Sequence, residues 1–560
     1  MPTINYLHHT FYCLLMRKFC LSGCILLLFS ACTSKKQVDT IVYNAHIYTV
    51  NAQFDIANAM AIQNGKIVAI GKKDSILQHF SANEMLNEKD KTIFPGFIDA
   101  HAHFVGYGQE LFTADLHDTK SFDEVLERLK AFAAQHPNQP WLLGRGWDQN
   151  KWPGKVFPHS VEKLNQLFPF TPVFLARVDG HAAIVNAKAM DLAGIKAGQK
   201  MVGGSFEIFE GHLTGVLIDN AQKPVLAVMP PLSAKAYAER LMAAQQNCFA
   251  MGLTTITDCG LSYKDVLRID SLQQAGALNM QLYIMLSDAK ENYDYFLPKG
   301  PYKTDKLFVN GFKFYADGAL GSRGACLLQP YADKSGWYGF LLSNASHFDS
   351  MAGVLSKTNF QMCTHAIGDS GNRVILQVYN KYLKGKNDRR WRIEHAQVVA
   401  PDDVALFGAA SIIPSVQPTH ATSDMYWAES RLGKTRLNNT YAYKKLLAQN
   451  GWLPLGTDFP VEDISPFKTF LAAVFRVDST GFPSGGFLPE NTLSREEAIR
   501  GMTIWAAKAD FLDKETGSLE TGKKADFVVL DADLMQIPWN KVLQTNVLAT
   551  YIAGKKVYQK

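Results

Sequence analysis

Phe94-Pro95-Gly96-Phe97-Ile98-Asp99-Ala100-His101-Ala102-His103 decides how the rest of the chain is read. Pro95-Gly96 marks the start, Phe97-Ile98 opens an apolar strand, and the run ends on two histidines at i and i+2. Such a pair projects from one face of an extended chain. At the C-terminal end of a parallel barrel strand both imidazoles face the site and can share a metal ion. A bare HxH also arises by chance in cores and on surfaces. The apolar strand behind it is what favours ligation here.

Three later stretches end in the same way. Cys363-Thr364-His365, Trp391-Arg392-Ile393-Glu394-His395 and Leu453-Pro454-Leu455-Gly456-Thr457-Asp458 each close an apolar run with a histidine or a carboxylate. Alone, each reads as an ordinary polar residue. Together they place HxH, His, His and Asp at the ends of successive strand candidates, and that coincidence carries weight.

Around these points, residues 90–510 alternate β-type runs (Thr254 to Thr257, Gln281 to Met285, Gly311 to Tyr315) with helical patterns (Phe122 to Ala134, Ala234 to Met251). Repeated strand–helix units predict an α/β fold with a parallel sheet or barrel. Residues 105–235, rich in Trp, Gly and Pro and weaker in periodicity, read as an insertion. The two ends are strand-rich, with an Asn64-Gly65 hairpin turn between Ala59–Ile62 and Lys66–Gly71. Residues 40–90 and 511–560 are therefore expected to build one small sheet domain, around a barrel domain at 91–510.

The chain of 560 residues is 47% hydrophobic and 19% charged, the balance of a globular protein. Its formal charge of +5 is small for that length, and no Lys/Arg cluster stands out, so no nucleic-acid partner is expected. Residues 1–31 read as a secretory signal: Arg17-Lys18, then the mostly apolar run Phe19 to Ala31, then Cys32. Met16 is an alternative start to Met1. Residues 32–39 read as a polar tether. Four of the eight cysteines fall in or at the end of this leader; Cys248, Cys259, Cys326 and Cys363 are widely spaced and form neither a disulfide framework nor a CxxC site.

These motifs resemble the amidohydrolase superfamily, and more narrowly the YtcJ-like branch of amidohydrolase family 3, which includes N-substituted formamide deformylases. The resemblance runs over residues 40–560 and rests on Pro95 to His103, Gly144-Arg145-Gly146-Trp147-Asp148, Arg177 to Ala182, Lys313 to Arg323, Arg392 to Gln397, Gln417 to Ala421 and Gly456 to Val461. It implies a (β/α)8 TIM-type barrel with a composite β-sandwich formed by both termini. It implies one or two divalent ions, foremost Zn²⁺, with Mn²⁺ or Fe²⁺ as alternatives. His101 and His103 would hold the more buried ion, a carboxylated Lys313 would bridge, His365 and His395 would hold the second, and Asp458 would complete the site. The Ser30-Ala31-Cys32 ending resembles a bacterial lipobox, which implies acylation of Cys32 and a lipid-anchored protein of the cell envelope, facing the periplasm.

The expected chemistry is hydrolysis of a non-peptide C–N bond, amide or N-formyl, in a small molecule. A metal ion lowers the pKa of bound water from 15.7 towards about 7, and Asp458 is the expected general base. Trp147, Asp179, His181, Arg323 and His420 are candidates for the substrate pocket. For Arg323 the alternative is a carboxylate of the fold, and for the tryptophans it is core packing. A deaminase or dipeptidase on the same barrel, a barrel glycosidase with paired carboxylates, and a non-catalytic binding lipoprotein are the competing readings.

Overall fold

Phe97–Ala102, Leu253–Leu261, Gln281–Ser287, Leu307–Tyr315, Gln361–Ala366, Arg392–His395 and Ile413–Ser415 lie side by side in that order, every neighbouring pair parallel. The computed structural model describes residues 35–560, so the leader and Cys32 lie outside the described residues. Helices such as Tyr263–Gln274 and Asp369–Leu383 alternate with the strands and cover the sheet. The strands are consequently apolar on both faces, and Phe97–Ala102 is buried at every position.

The sheet curls into a nearly closed barrel. The eighth position is an irregular segment at 453–459, too broken by Pro454 and Gly456 to form a regular strand. Leu455 still bridges Val416 in parallel. On its other side Leu455 O accepts from Ala100 N, Asp458 N donates to His101 O and His103 N donates to Phe459 O, at 3.2, 2.7 and 2.8 Å. Asp99 fastens the seam, its carboxylate accepting from the Thr457 N–H at 3.0 Å and the Thr457 hydroxyl at 2.7 Å. Gly456 is required there: a Cβ would stand 2.5 Å from His101 N and 2.8 Å from Asp99 Oδ1.

Both termini contribute to one eight-stranded sheet. Thr92–Pro95 pairs antiparallel with Phe527–Leu530, joining the N-terminal strands to Val547–Ile552 and Lys555–Gln559. Phe94 and Val528 from this sheet share one apolar core with Phe97, Phe249 and Phe467 of the barrel. The hairpin is present, with Asn64 and Gly65 both at positive φ between Ile56–Gln63 and Lys66–Gly71. The tether expectation needs correction at its end. Lys36 to Asp39 already belong to the strand Lys36–Tyr48, paired parallel with Phe80–Asn87. Their polar side chains suit an exposed sheet, where Gln37 exchanges 2.7 Å hydrogen bonds with Asn83 and Ser81.

The inserted region is more ordered than its weak periodicity suggests. Ala114–Asp115, Leu142–Trp147, Val173–Arg177, Ala182–Val185, Gly204–Phe209 and His212–Asp219 form a six-stranded sheet. One face packs Leu175, Ile184, Val216 and Ile218 with Trp147 and Trp152; the other packs Phe174, Val185 and Leu217 with Trp141. Burial on both faces removes the polar alternation by which a strand is recognised.

Candidate metal centre

The barrel gathers His101, His103, Lys313, His365, His395 and Asp458 at the C-terminal ends of its strands, as register requires: Tyr315 pairs with His365 and Ala366 with His395. His395 and Asp458 sit at φ +71 and +65. Residues with a Cβ avoid that region, and such strain clusters at functional sites. Here it turns both side chains over the barrel mouth.

His101, His395 and Asp458 each offer a ligand atom, and those atoms lie within 4.8 Å of one another. Asp458 Oδ1 is 3.2 Å from His103 Nε2 and 3.4 Å from His101 Nε2. Lys313 Nζ is 3.2 Å from His101 Nε2. The His365 ring lies 4.5 Å from that of His395, and the His101 ring 4.8 Å from it, between centroids.

Burial, reinforced by neighbouring cationic groups, pushes His365 and His395 well below the ordinary imidazole range, so both are neutral. Burial works against ionising Asp458, but the imidazoles of His101, His103 and His420 gathered around it outweigh that and hold the carboxyl well below its usual range. Asp458 Oδ1 and His365 Nε2 are buried with no hydrogen-bond partner. Neutral imidazoles and an anion converging with unpartnered acceptor atoms are a poor arrangement for themselves and a good one for a divalent cation.

Supporting groups orient these ligands. Glu394 Oε2 lies 2.5 Å from His101 Nδ1, and Gln417 Oε1 2.7 Å from His395 Nδ1, which leaves both Nε2 atoms towards the centre. Asp317 accepts from the backbone of Cys326, Ile367 and Gly368 at 2.8–2.9 Å, tying the loop after Lys313 to the strand end that carries His365.

A cavity of about 1370 Å³ opens over this cluster and is lined by barrel and insert alike. His420 and His181 both reach it. His420 Nε2 is 3.2 Å from Asp458 Oδ2, with Glu462 3.2 Å from its other nitrogen. His181 holds Nδ1 2.5 Å from Asp219 Oδ1, and its ring is 5.0 Å from that of His365. Asp179 lines the cavity too, paired with buried Arg177 and accepting the His181 backbone N–H at 3.0 Å.

Two candidates lie elsewhere. Trp147 is fully buried in the insert, its indole N–H donating to Leu175 O at 2.7 Å, and takes no part in the cavity wall. Arg323 binds Asp333 with two hydrogen bonds of 3.0 and 3.1 Å, also away from this cavity, so the fold-carboxylate alternative holds.

Glu394 and Gln417 have no individual role legible in the sequence, although Gln417 opens the Gln417-to-His420 stretch that could orient substrate, and Asp219 and Glu462 have none at all. The first two sit inside the motifs quoted above, and Arg392 with Glu394, two apart on a buried strand, was a legible signal: charges enter a barrel interior only in pairs. Asp219 had no motif to mark it.

A nearly closed α/β barrel with a histidine–carboxylate centre at its C-terminal mouth is the architecture of a metal-dependent hydrolase. The chain belongs to the Amidohydrolase family, whose profile matches residues 86–558. It is 29% identical over 534 residues to the putative amidohydrolase YtcJ of Bacillus subtilis, covering 93% of this chain and 99% of that one. It is 25% identical over 550 residues to the N-substituted formamide deformylase of Arthrobacter pascens, covering 93% and 98%. A crystal structure of an uncharacterized metal-dependent hydrolase from Pyrococcus horikoshii superimposes with a TM-score of 0.74 at 25% identity, over 89% of this chain and 99% of that one. The protein is thus an enzyme, a hydrolase of the amidohydrolase superfamily with a candidate metal site at His101, His395 and Asp458.

Proposed function

We propose that the enzyme hydrolyses a non-peptide C–N bond of a small molecule, an amide or N-formyl amine. The observation that carries this reading is the buried convergence of His101, His395 and Asp458, with Asp458 Oδ1 and the neighbouring His365 Nε2 left unpartnered. The likeness to an N-substituted formamide deformylase over nearly the whole chain supports the bond type.

His101, His103, His365, His395 and Asp458 would hold one or two divalent ions, Zn²⁺ first and Mn²⁺ or Fe²⁺ as alternatives. Lys313, buried beside His101 Nε2, would join them once its amine has combined with CO₂ to give a carbamate. A divalent cation held there would supply Lewis acidity, easing ionisation of water towards neutral pH and polarising the substrate carbonyl. Asp458 takes the proton of the attacking water as oxygen adds to the carbonyl carbon, then delivers it to nitrogen as the C–N bond breaks. The products are a carboxylic acid, formate for an N-formyl substrate, and an amine. His420 hydrogen-bonds the far oxygen of Asp458 and fixes the direction in which that carboxylate works. His181 and Asp179, brought by the insert, face the space above the centre and orient the substrate.

On the same reading, residues 40–90 and 511–560 form a composite β-sandwich beside the barrel at 91–510, with the insertion at 105–235 shaping specificity; the sheet shared by both termini supports the first part. The lipobox-like Ser30-Ala31-Cys32 supports a lipid-anchored enzyme of the cell envelope, facing the periplasm, and labelling with a radioactive fatty acid that is lost in Cys32→Ala tests it.

Elemental analysis of protein starting at Thr33, purified without chelator beside Lys313→Ala, is the decisive test. One to two equivalents of Zn, Mn or Fe, reduced in the variant, with release of formate or acid from N-formyl or N-acyl amines, supports the proposal. No bound metal, even after adding metal with bicarbonate, overturns it.

A further inference from the structure

The geometry points to Glu394 as the positioning residue that makes His101 the anchor of the metal centre, through a carboxylate that His395 lacks. This rests on the metal-hydrolase reading above. Both histidines turn Nε2 towards the centre by donating Nδ1–H to a partner behind them, yet the partners differ in charge. Behind His101 stands a carboxylate at 2.5 Å, and behind His395 the neutral amide oxygen of Gln417 at 2.7 Å. A carboxylate behind an imidazole raises its basicity as a ligand and holds ring and tautomer, whereas an amide does only the second.

Glu394 itself is fixed from below. Arg392, two residues earlier on the same strand, donates from Nη2 to Glu394 Oε2 at 3.1 Å, and its Nε stands 2.7 Å from Oε1 as an ion pair. The same Nη2 also contacts Ser415 Oγ at 2.8 Å and the Ala100 carbonyl, and Nη1 donates to Asp510 Oδ1 at 3.1 Å. Asp510 in turn accepts from the Thr257 hydroxyl at 2.7 Å. His101, Arg392, Glu394 and Asp510 are all fully buried, and the chain of bonds crosses the barrel interior from the second strand to the seventh. A buried guanidinium that hydrogen-bonds one carboxylate oxygen and faces the other holds Glu394 beside His101. A buried ion pair is weak evidence for stability by itself. What distinguishes this one is that it ends on a ligand.

The test is Co²⁺ titration of the whole enzyme, followed by visible absorption and by chelator competition. Wild type is compared with Glu394→Gln, in which Arg392 keeps Asp510 as its counter-charge. Glu394→Gln is expected to raise the Co²⁺ dissociation constant about 10–100-fold and to change the d–d bands, with the far-UV circular dichroism of the metal-free protein unchanged. Gln417→Met, which strips only a neutral acceptor from His395, is expected to cost less. The swap Glu394→Gln with Gln417→Glu, which moves the carboxylate behind the other imidazole, is expected to recover part of the loss. Should Glu394→Gln not fold, Glu394→Asp keeps the pair with Arg392 while drawing back from His101, and the same weakening is expected. Wild-type affinity and spectrum in the Glu394 variant, or an equal or larger loss in Gln417→Met, overturns the inference. If wild type itself takes up no Co²⁺, it is the metal-hydrolase reading that has failed.

Discussion

The barrel mouth and the inserted sheet each set a carboxylate-backed imidazole at the centre, His101 buried among the ligands and His181 in the cavity wall, and they do so by different means. His101 ends a regular parallel strand, and its partner Glu394 lies on another strand of the same barrel. His181 stands in a turn between two short strands, and its partner Asp219 holds φ +51 with ψ −122, a conformation proper to glycine. The barrel places its groups by the shared geometry of strand ends, with backbone strain added at His395 and Asp458. The insert places its group by local strain, the side chain of Asp219 being wedged so closely that a Cβ at Gly318 or Gly324 would stand 2.4 Å from Oδ2. On the proposed reading the barrel ends would hold the ion and the insert would meet the substrate.

That division is broken most directly at Asp458, which the proposal makes both ligand and base. Asp458→Asn is expected to lower kcat by about a thousandfold or more, the scale of a lost general base in a preorganised site, while elemental analysis still finds most of the metal. Loss of metal in step with activity would make Asp458 a ligand and nothing else. Next comes Gly456→Ala, which touches no substrate. Its Cβ would meet His101 N and Cβ at 2.5 and 2.9 Å, so the eighth segment must leave the first strand. A cost of about 1–3 kcal/mol is expected in denaturant unfolding, together with reduced metal occupancy.

The same contrast explains what was legible beforehand. HxH, His365, His395 and Asp458 could be read because each ends an apolar run, and a barrel brings strand ends together whatever the loops do. The parallel middle and the strand-rich termini were legible for a related reason, since alternation of periods survives in single sequences. The inserted sheet was not, because both its faces are covered and its strands carry no polar alternation. Trp147 illustrates the consequence: an indole beside Asp148 in a glycine-rich stretch looks like a pocket wall, and packs instead at the insert's centre. Asp219 and Glu462 were invisible because what recruits them is spatial, a histidine from a distant stretch, and no spacing records it.

A sharper cut separates the imidazoles by readout. His181→Asn and Asp219→Asn are each expected to lower kcat about 10–100-fold with metal content unchanged. The double variant should be scarcely worse than either single one, because the two residues act as a unit. Metal loss in either variant would merge the insert's histidine with the barrel set and erase the distinction between the two regions.

The smallest effect is expected at Arg323, and it tests whether the division extends to the loop between them. Arg323 follows the strand that carries Lys313, and a cation at such a place suggests recognition of an anionic substrate. Its guanidinium instead grips Asp333 with two hydrogen bonds and stands outside the main cavity. Asp333 is also paired with buried Arg431, which reaches Asn150 of the insert at 2.5 Å. Removing Arg323 therefore leaves Asp333 with a second cation and leaves the clamp between loop and insert standing. A half-exposed pair of this kind contributes about 0–1 kcal/mol, so Arg323→Ala is expected to change kcat/KM by less than about twofold and to lower stability only slightly. A rise in KM of tenfold or more with kcat preserved would return Arg323 to the substrate and place part of the recognition on the barrel's own loop. Recognition would then extend from the insert and His420 to the loop that follows the Lys313 strand.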